Sequence, residues 1–362
     1  DGIFVEAEPH EGGYRVHITI ADVAAHVKLG SHLARAAAER GFTVYRPGRV
    51  DSMFPKPLEE RMSLEHEQER LGLTVSIDLD EHFRPVHTEW QPVITYAENV
   101  SYQQTRARME NDPQFALMDQ IAKGVRQHYF GKAKHSNLLR ELLPPSTPYD
   151  AQPKKYRKSM EMVATYMLLA NSCVADFFDR SELPFMYRNF NEQQGDERAH
   201  YSADAKRHTA LEQMGLKGAY CHFTSPIRRA PDFFNAHMAH FVFKTMRELE
   251  EKMLANHQDI NAQRLHVALW DNAADIMRLA TQMQNGSAIR HKAELEKILS
   301  GIVSDITGEG DKALKPKVQK LADWLATLRP PLNREAIESY AEHINGLNHS
   351  PQMRDIAKRS EK

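Results

Sequence analysis

Two hydrophobic periodicities meet near residue 100, and they constrain the fold more than any single motif. Before that point apolar residues alternate. Ile3 to Glu8 alternates, His10-Glu11-Gly12-Gly13 supplies turn chemistry, and Tyr14, Val16, Ile18 and Ile20 alternate again. This predicts a hairpin over 3–20. Leu71 to Leu79 and residues 84–96 read as two further strands. Ser31 is placed to cap a short helix over His32–Glu39 that Gly41 closes. Residues 42–68 carry Pro47, Pro55 and Pro57 and read as an ordered loop with short helical turns. Beyond 101 the apolar spacing becomes helical. Pro113 suits the first turn of a helix running to about 129. A cluster of four prolines over 144–153 then breaks the pattern. Met160, Val163, Met167, Leu168, Asn171, Val174 and Phe178 recur at a spacing of three and four, the mark of a long helix. Further helices are predicted over about 231–254, 261–283, 314–328 and 334–346. Strands first and helices after make an α+β chain.

Charge and composition remove several classes. The 362 residues are 41% hydrophobic and 27% charged, enough to bury a core and too long for one ordinary domain. Lys and Arg total 47 against 49 Asp and Glu, a formal charge of −2. No global basic field draws this chain to nucleic acid or an anionic membrane, although a local basic groove stays open. Cys173 and Cys221 are too few for a disulfide scaffold or a multi-cysteine zinc module, and they fit a reducing cytoplasm. No apolar run reaches the length of a membrane span. The chain opens Asp-Gly-Ile-Phe, without a signal-peptide pattern or initiator Met, and reads as processed or truncated. His66-Glu67 begins a zinc-protease motif, but Arg70 stands where its second histidine belongs.

The chemistry concentrates in His222-Phe223-Thr224-Ser225-Pro226-Ile227-Arg228-Arg229-Ala230-Pro231-Asp232. Ser225 before Pro226 suits the start of a helical turn, whose free N–H groups favour an anion. Arg228 and Arg229 add forked donors that match a phosphate. The plainer reading is a capped helix start with two solvent-facing arginines, and the residues alone leave both open. Tyr45 and Tyr102 are, by the same measure, half-buried packing tyrosines.

That run resembles the signature of the ribonuclease II/ribonuclease R exoribonucleases, the RNB catalytic domain. Other segments follow in family order: Ile20-Ala21-Asp22-Val23, Gly41 to Pro47, Met53-Phe54-Pro55, Ser63-Leu64, Glu69-Arg70-Leu71, Met167 to Asn171, and Leu183 to Arg188. The resemblance covers roughly residues 1–245. It implies an RNB-type α+β domain over 1–299, β-rich first and then covered by helices. Residues 300–362 would be a helical extension in place of the usual oligonucleotide-binding barrel.

The resemblance also implies an activity: Mg²⁺-dependent hydrolysis of single-stranded RNA from the 3′ end to nucleoside 5′-monophosphates. The metal would sit in a cluster of four aspartates, of which Asp1 aligns with the last. The other three would lie upstream, so the chain as written is expected to be inactive. Arg228 aligns with the catalytic arginine on the scissile phosphate. Tyr45 and Tyr102 align with aromatics that contact RNA, and His222, Thr224, Ser225 and Arg229 belong to the same RNA-binding run. The pattern departs at Ala164-Thr165, where relatives carry acidic residues, near Thr281, where a glutamate is expected, and over 135–148. These losses motivate a second reading, a degenerate RNB domain that binds RNA or a protein partner without cleaving. The resemblance implies single-stranded RNA as partner, while the cysteine count points to the cytoplasm and the missing apolar run to no membrane; a protein partner for the helical tail stays open.

Overall fold

A computed structural model describes residues 1–6, 12–46, 48–130, 154–190, 199–205, 218–257, 260–284, 288–308 and 311–348. The turn residues His10 and Glu11, Pro47, the proline cluster over 144–153 and all of 135–148 lie outside these.

The alternating segments form an antiparallel sheet. Strands β1 (Gly2–Val5) and β2 (Tyr14–Ala21) make the expected hairpin. Strands β3 (Val44–Arg46) and β4 (Arg49–Asp51) form a separate hairpin, and β5 (Glu69–Leu79) and β6 (Pro85–Tyr96) complete the large sheet in the order β1-β2-β5-β6. Register places Ile18 opposite Val75 and Val75 opposite Trp90. Val16, Ile18, Ile20, Leu73, Val75, Ile77 and Trp90 therefore point to one face, and all are buried. The period of two has put the whole apolar set on one side.

Short helices follow the expected caps. Helix α1 (Val23–His26) starts at Asp22, whose carboxylate accepts the Ala25 N–H. Helix α2 (His32–Arg40) starts at Ser31, whose hydroxyl accepts the Ala34 N–H. It ends at Gly41, where φ is 72°, a conformation that favours glycine. The loop expected over 42–68 contains the β3–β4 hairpin and helix α3 (Lys56–Met62). Three-residue strands are too short to carry a period.

Helix α4 (Tyr102–Asn111) opens with a capping box between Ser101 and Gln104. Helix α5 (Pro113–Gly124) starts at Pro113 and lies on β1, with Gln114 Nε2 donating to Val5 O at 2.7 Å. The helix expected to reach 129 becomes a π turn at Val125–Tyr129. Helix α6 (Lys154–Ser181) is the long methionine-rich helix. Strands β7 (Tyr187–Phe190) and β8 (Ala199–Ser202) pair, and helix α7 (Ala230–Asn256) follows the arginine run. The predicted 261–283 helix is two, α8 (Ala262–Asp271) and α9 (Ala273–Gln284), parted at Asn272. Helices α10 (Ala288–Thr307), α11 (Asp311–Thr327) and α12 (Arg334–Asn348) close the described chain.

The described residues divide into two compact units. The first takes Asp1–Ala175, Phe185–His237 and Arg334–Lys362; the second takes Asp176–Pro184 and Met238–Asn333. The boundary expected at 299/300 falls inside α10, and α12 belongs to the first unit rather than to a separate tail. The second unit is helical among its described residues. No described helix is long and apolar enough to cross a membrane. Both cysteines are buried, and among the described residues neither forms a disulfide.

Candidate functional site

The arginine run is an extended segment clamped from both sides before it turns into α7. Asn171, fully buried on α6, holds one side. Its Oδ1 accepts the Phe223 N–H at 3.1 Å, its Nδ2 donates to Tyr220 Oη at 3.1 Å, and its carbonyl receives the Cys221 thiol at 3.2 Å. Asn235 on α7 holds the other. Its amide donates to Met186 O and His222 O and accepts the Met186 N–H, all within 3.0 Å. Neither was singled out from the sequence as a site residue; a fully polar side chain on a buried helical face is the signal that marks such a residue.

The segment then makes one turn. The Ser225 carbonyl accepts the N–H groups of Arg228 and Arg229, each at 3.1 Å. The Ser225 N–H donates to Asp232 Oδ1 at 2.7 Å. Ser225 Oγ does not cap a backbone N–H; it accepts the Arg228 Nη2 at 3.0 Å. Asp232 also grips Arg229, Nε to Oδ2 at 2.8 Å and Nη2 to Oδ1 at 2.6 Å. Asp232 is completely buried, and its charge raises the pKa of Arg229 against the opposing pull of burial. Arg229 is thus a brace with its own counterion.

Arg228 has a different fate. Among the described residues it has no carboxylate partner, and its side chain meets only the Ser225 hydroxyl. Burial, and then the neighbouring Arg229 cation, hold its pKa below the ordinary guanidinium value. Asp232, Tyr45 and Tyr102 act on it in the opposite sense.

The turn is stitched to the chain leaving α2. Ala230 N–H donates to Gly41 O at 2.8 Å, Thr43 N–H donates to Arg228 O at 2.9 Å, and Phe42 bridges Arg229. This carries β3, and with it Tyr45, to the side of Arg228. The result is a cavity of about 570 Å³. Asp1, Tyr45, Tyr102, Thr224, Ser225, Arg228 and Arg229 all line it. Met160, Val163, Ala164 and Met167 of α6 form an apolar side, and Glu59 of α3 adds a carboxylate whose Oε2 accepts the Ser52 hydroxyl at 2.8 Å. Glu59 and the methionine side were not anticipated, because their approach depends on tertiary packing. Burial pushes the Tyr102 hydroxyl up, and Arg228 opposes that shift.

His222 is the exception. It does not line the cavity; its ring is buried, with Nδ1 hydrogen-bonded to Tyr201 Oη at 2.8 Å. Burial, then Arg229, Arg188 and Arg228, drive its pKa well below the usual histidine value, so it is a neutral packing group. Tertiary hydrogen bonds explain the miss. Asn235 fixes the His222 carbonyl, and the ring turns away from the wall that Thr224 faces. Tyr201 and Tyr220, buried beside it, are pushed up to about 12 by burial.

The departure at Ala164-Thr165 has a structural counterpart. Ala164 offers only a methyl group to the cavity, while the Thr165 hydroxyl accepts the buried Arg126 Nη1 at 2.8 Å. Thr281, in the second unit, bonds its own helix at Met277 O.

The RNB domain model matches residues 1–198. The chain belongs to the RNB family. The ribonuclease R of Thermotoga maritima is 28% identical to this RNB chain over 251 residues, covering 62% of this chain and 33% of that protein. The chain thus spans about a third of that relative's length. Two solved structures share the fold at 18% identity. Mycoplasma genitalium ribonuclease R in complex with ribose-methylated single-stranded RNA has a TM-score of 0.50, covering 90% of this chain and 54% of the other. Yeast Ssd1, described as a pseudonuclease, has a TM-score of 0.53, covering 66% and 37%.

Proposed function

We propose that this RNB domain receives the 3′ end of single-stranded RNA in the cavity beside Arg228. The whole protein then acts in the cytoplasm as a 3′-to-5′ exoribonuclease that releases nucleoside 5′-monophosphates. The observation that carries the reading is Arg228 itself. A half-buried guanidinium without a carboxylate partner among the described residues calls for an anion, because desolvated charge is costly until it is paired. A phosphodiester matches its fork. Tyr45 and Tyr102 offer ring faces on which bases stack without regard to sequence, and the Thr224 and Ser225 hydroxyls line the same wall. Arg228 would stabilise charge that develops on the phosphate during hydrolysis.

The expected Mg²⁺ is a separate question of fit. Among the described residues no three His, Cys, Asp or Glu side chains converge. The cavity lining holds two carboxylates, Asp1 and Glu59, and Ser52 already occupies one oxygen of Glu59. Magnesium demands near-octahedral oxygen coordination. These residues do not by themselves make such a cage.

The methyl group that Ala164 offers to the cavity, where relatives carry acidic residues, motivates a second reading, an RNB domain that binds RNA without cutting it. The fold does not choose, since a ribonuclease R and a pseudonuclease share it. Incubating the whole protein with 5′-labelled single-stranded RNA, with and without Mg²⁺, decides between them. Stepwise metal-dependent shortening from the 3′ end, lost in Arg228→Ala, establishes the exonuclease. Binding that needs Arg228 without shortening establishes the binding module. RNA that neither binds nor shortens sinks both.

A further inference from the structure

Helix α12 comes from the far end of the described chain, yet it touches the elements that hold the cavity together. Its buried stripe, Ile337, Ala341 and Ile344, recurs at four and three residues, so one face of the helix is committed to the first unit. Polar residues flanking that stripe make specific contacts. Asn345 Oδ1 accepts the Tyr201 N–H and Asn345 Nδ2 donates to Tyr201 O, both at 2.8 Å. One side-chain amide thereby satisfies a donor and an acceptor of β8, as a neighbouring strand would. The Ala203 N–H donates to Glu338 Oε2 at 2.7 Å, and Arg334 pairs with Asp204. Tyr340 stacks on Phe234 of α7 with ring centroids 4.2 Å apart. His343 Nε2 meets Glu39 O near the end of α2 at 3.2 Å. Leu347 Cδ1 lies 2.7 Å from where a β-carbon on Gly41 would be.

These contact points lead to the cavity by short paths. Gly41 O receives the Ala230 N–H, and two residues later Thr43 is bonded to Arg228. Tyr201 packs its ring against Phe42 at 6.3 Å and bonds His222 through its hydroxyl. Phe234 stands two residues beyond Asp232, the carboxylate that holds Arg229 and the Ser225 N–H. So α12 fastens α2's end, β8 and the start of α7, the three supports of the Tyr45–Arg228 pair.

We propose that α12 is a positioning clamp for the RNA site, and that Asn345 and Tyr340 are positioning residues that set the spacing of Tyr45 and Arg228 without touching RNA. The proposal rests on the RNA reading of that cavity. It predicts that loosening the clamp weakens RNA binding more than its cost in overall stability explains.

The test uses the whole protein and a short fluorescent single-stranded RNA with a free 3′ end, without metal, read by anisotropy. Asn345→Ala and Tyr340→Ala are expected to weaken binding roughly threefold to thirtyfold, the range for residues coupled to a site they do not contact. Tyr340→Phe keeps the ring stack and is expected to bind like wild type. Leu299→Ala, in the second unit, serves as the stability control and is expected to lower the melting temperature without changing affinity. Amide exchange supplies a readout independent of RNA. The Thr43 and Ala230 amides should exchange faster in Asn345→Ala, while Val75 in the sheet does not. Wild-type affinity in both alanine variants overturns the clamp and leaves the RNA reading standing. Equal weakening in Leu299→Ala also overturns it, because the effect is then one of stability alone. Wild-type protein that binds no RNA removes the functional reading and this one together.

Discussion

On one wall of the cavity, from Phe223 to Asp232, the braces are buried; on the wall that carries Tyr45, they are ion pairs in water. Asn171, Asn235 and Asp232 are all fully enclosed, and each holds backbone groups of the run or its neighbours. The β3–β4 hairpin instead ties Arg46 and Arg49 to the single carboxylate of Asp51, with the Arg49 side chain 76% exposed. Helix α4 ties Arg108 to Glu98 in the same exposed fashion. The difference follows the chemistry each wall would perform. A phosphate needs donors fixed in advance, since reorganisation at the moment of binding is what preorganised sites avoid. A stacked base of any identity needs a face that adjusts.

The largest expected effect falls on the buried wall. Asp232→Asn removes the charge that balances Arg229 and leaves a desolvated guanidinium unpaired. Breaking a buried pair in this way costs about 3–5 kcal/mol. Urea unfolding of the variant checks it. A loss under about 1 kcal/mol, the usual value of an exposed pair, would collapse the distinction between the two walls.

Arg228→Ala comes next and sharpens the comparison from within the turn. It removes no buried pair, so folding stability should hardly move. RNA affinity should fall roughly tenfold to a hundredfold, the worth of a hydrogen bond to a charged group at about 1.5–3 kcal/mol. Adjacent arginines would then separate cleanly, Arg229 by its effect on stability and Arg228 by its effect on binding. A stability loss in Arg228→Ala as large as that of Asp232→Asn would erase that separation.

The sequence told more about the sheet than about the site. Period-two alternation over Tyr14–Ile20 and Leu71–Leu79 reports burial directly, so the strands and their inward faces could be read. The Ser31 and Gly41 helix ends were legible because capping is local chemistry. The β3–β4 hairpin was not, because its strands are too short to show a pattern. The break at Asn272 was not, because apolar spacing continues across it. At the site, Arg228, Tyr45, Tyr102, Thr224 and Ser225, named from the resemblance, line one cavity. The motif could not tell Arg229 from Arg228, since that depends on Asp232 reaching back one turn. Nor could it turn the His222 ring inward, which depends on Asn235 and Tyr201.

His222 gives the buried wall a pH signature that the hairpin lacks. Its folded pKa lies well below the ordinary value of 6.5, from burial first and then from Arg229, Arg188 and Arg228. Below pH 6.5 the unfolded chain takes up a proton at this residue that the folded chain refuses. Stability is therefore fully present above pH 6.5 and is lost as pH falls beneath it, at up to about 1.4 kcal/mol per pH unit. Denaturation at pH 7, 6 and 5 reads it, and His222→Gln should flatten the profile. A wild-type profile already flat over this range would mean that His222 is protonated in the folded wall.

The smallest effect belongs to the hairpin, and it tests the comparison from the other side. Arg46 and Arg49 hold the Asp51 carboxyl below its usual pKa through hydrogen bonds and charge, although partial desolvation opposes them. Since the cluster stands in water, losing it changes solvation little. Asp51→Asn should leave the melting temperature unmoved. It also frees two cations on the hairpin that carries Tyr45, so RNA should bind slightly more tightly at low ionic strength. The gain should vanish as salt rises, because exposed charges are screened within about 10 Å at 0.1 M. A variant that melts early would show the hairpin's ion pairs to be structural after all. Tighter binding that survives high salt would show that Arg46 or Arg49 meets the RNA directly rather than through the field around it.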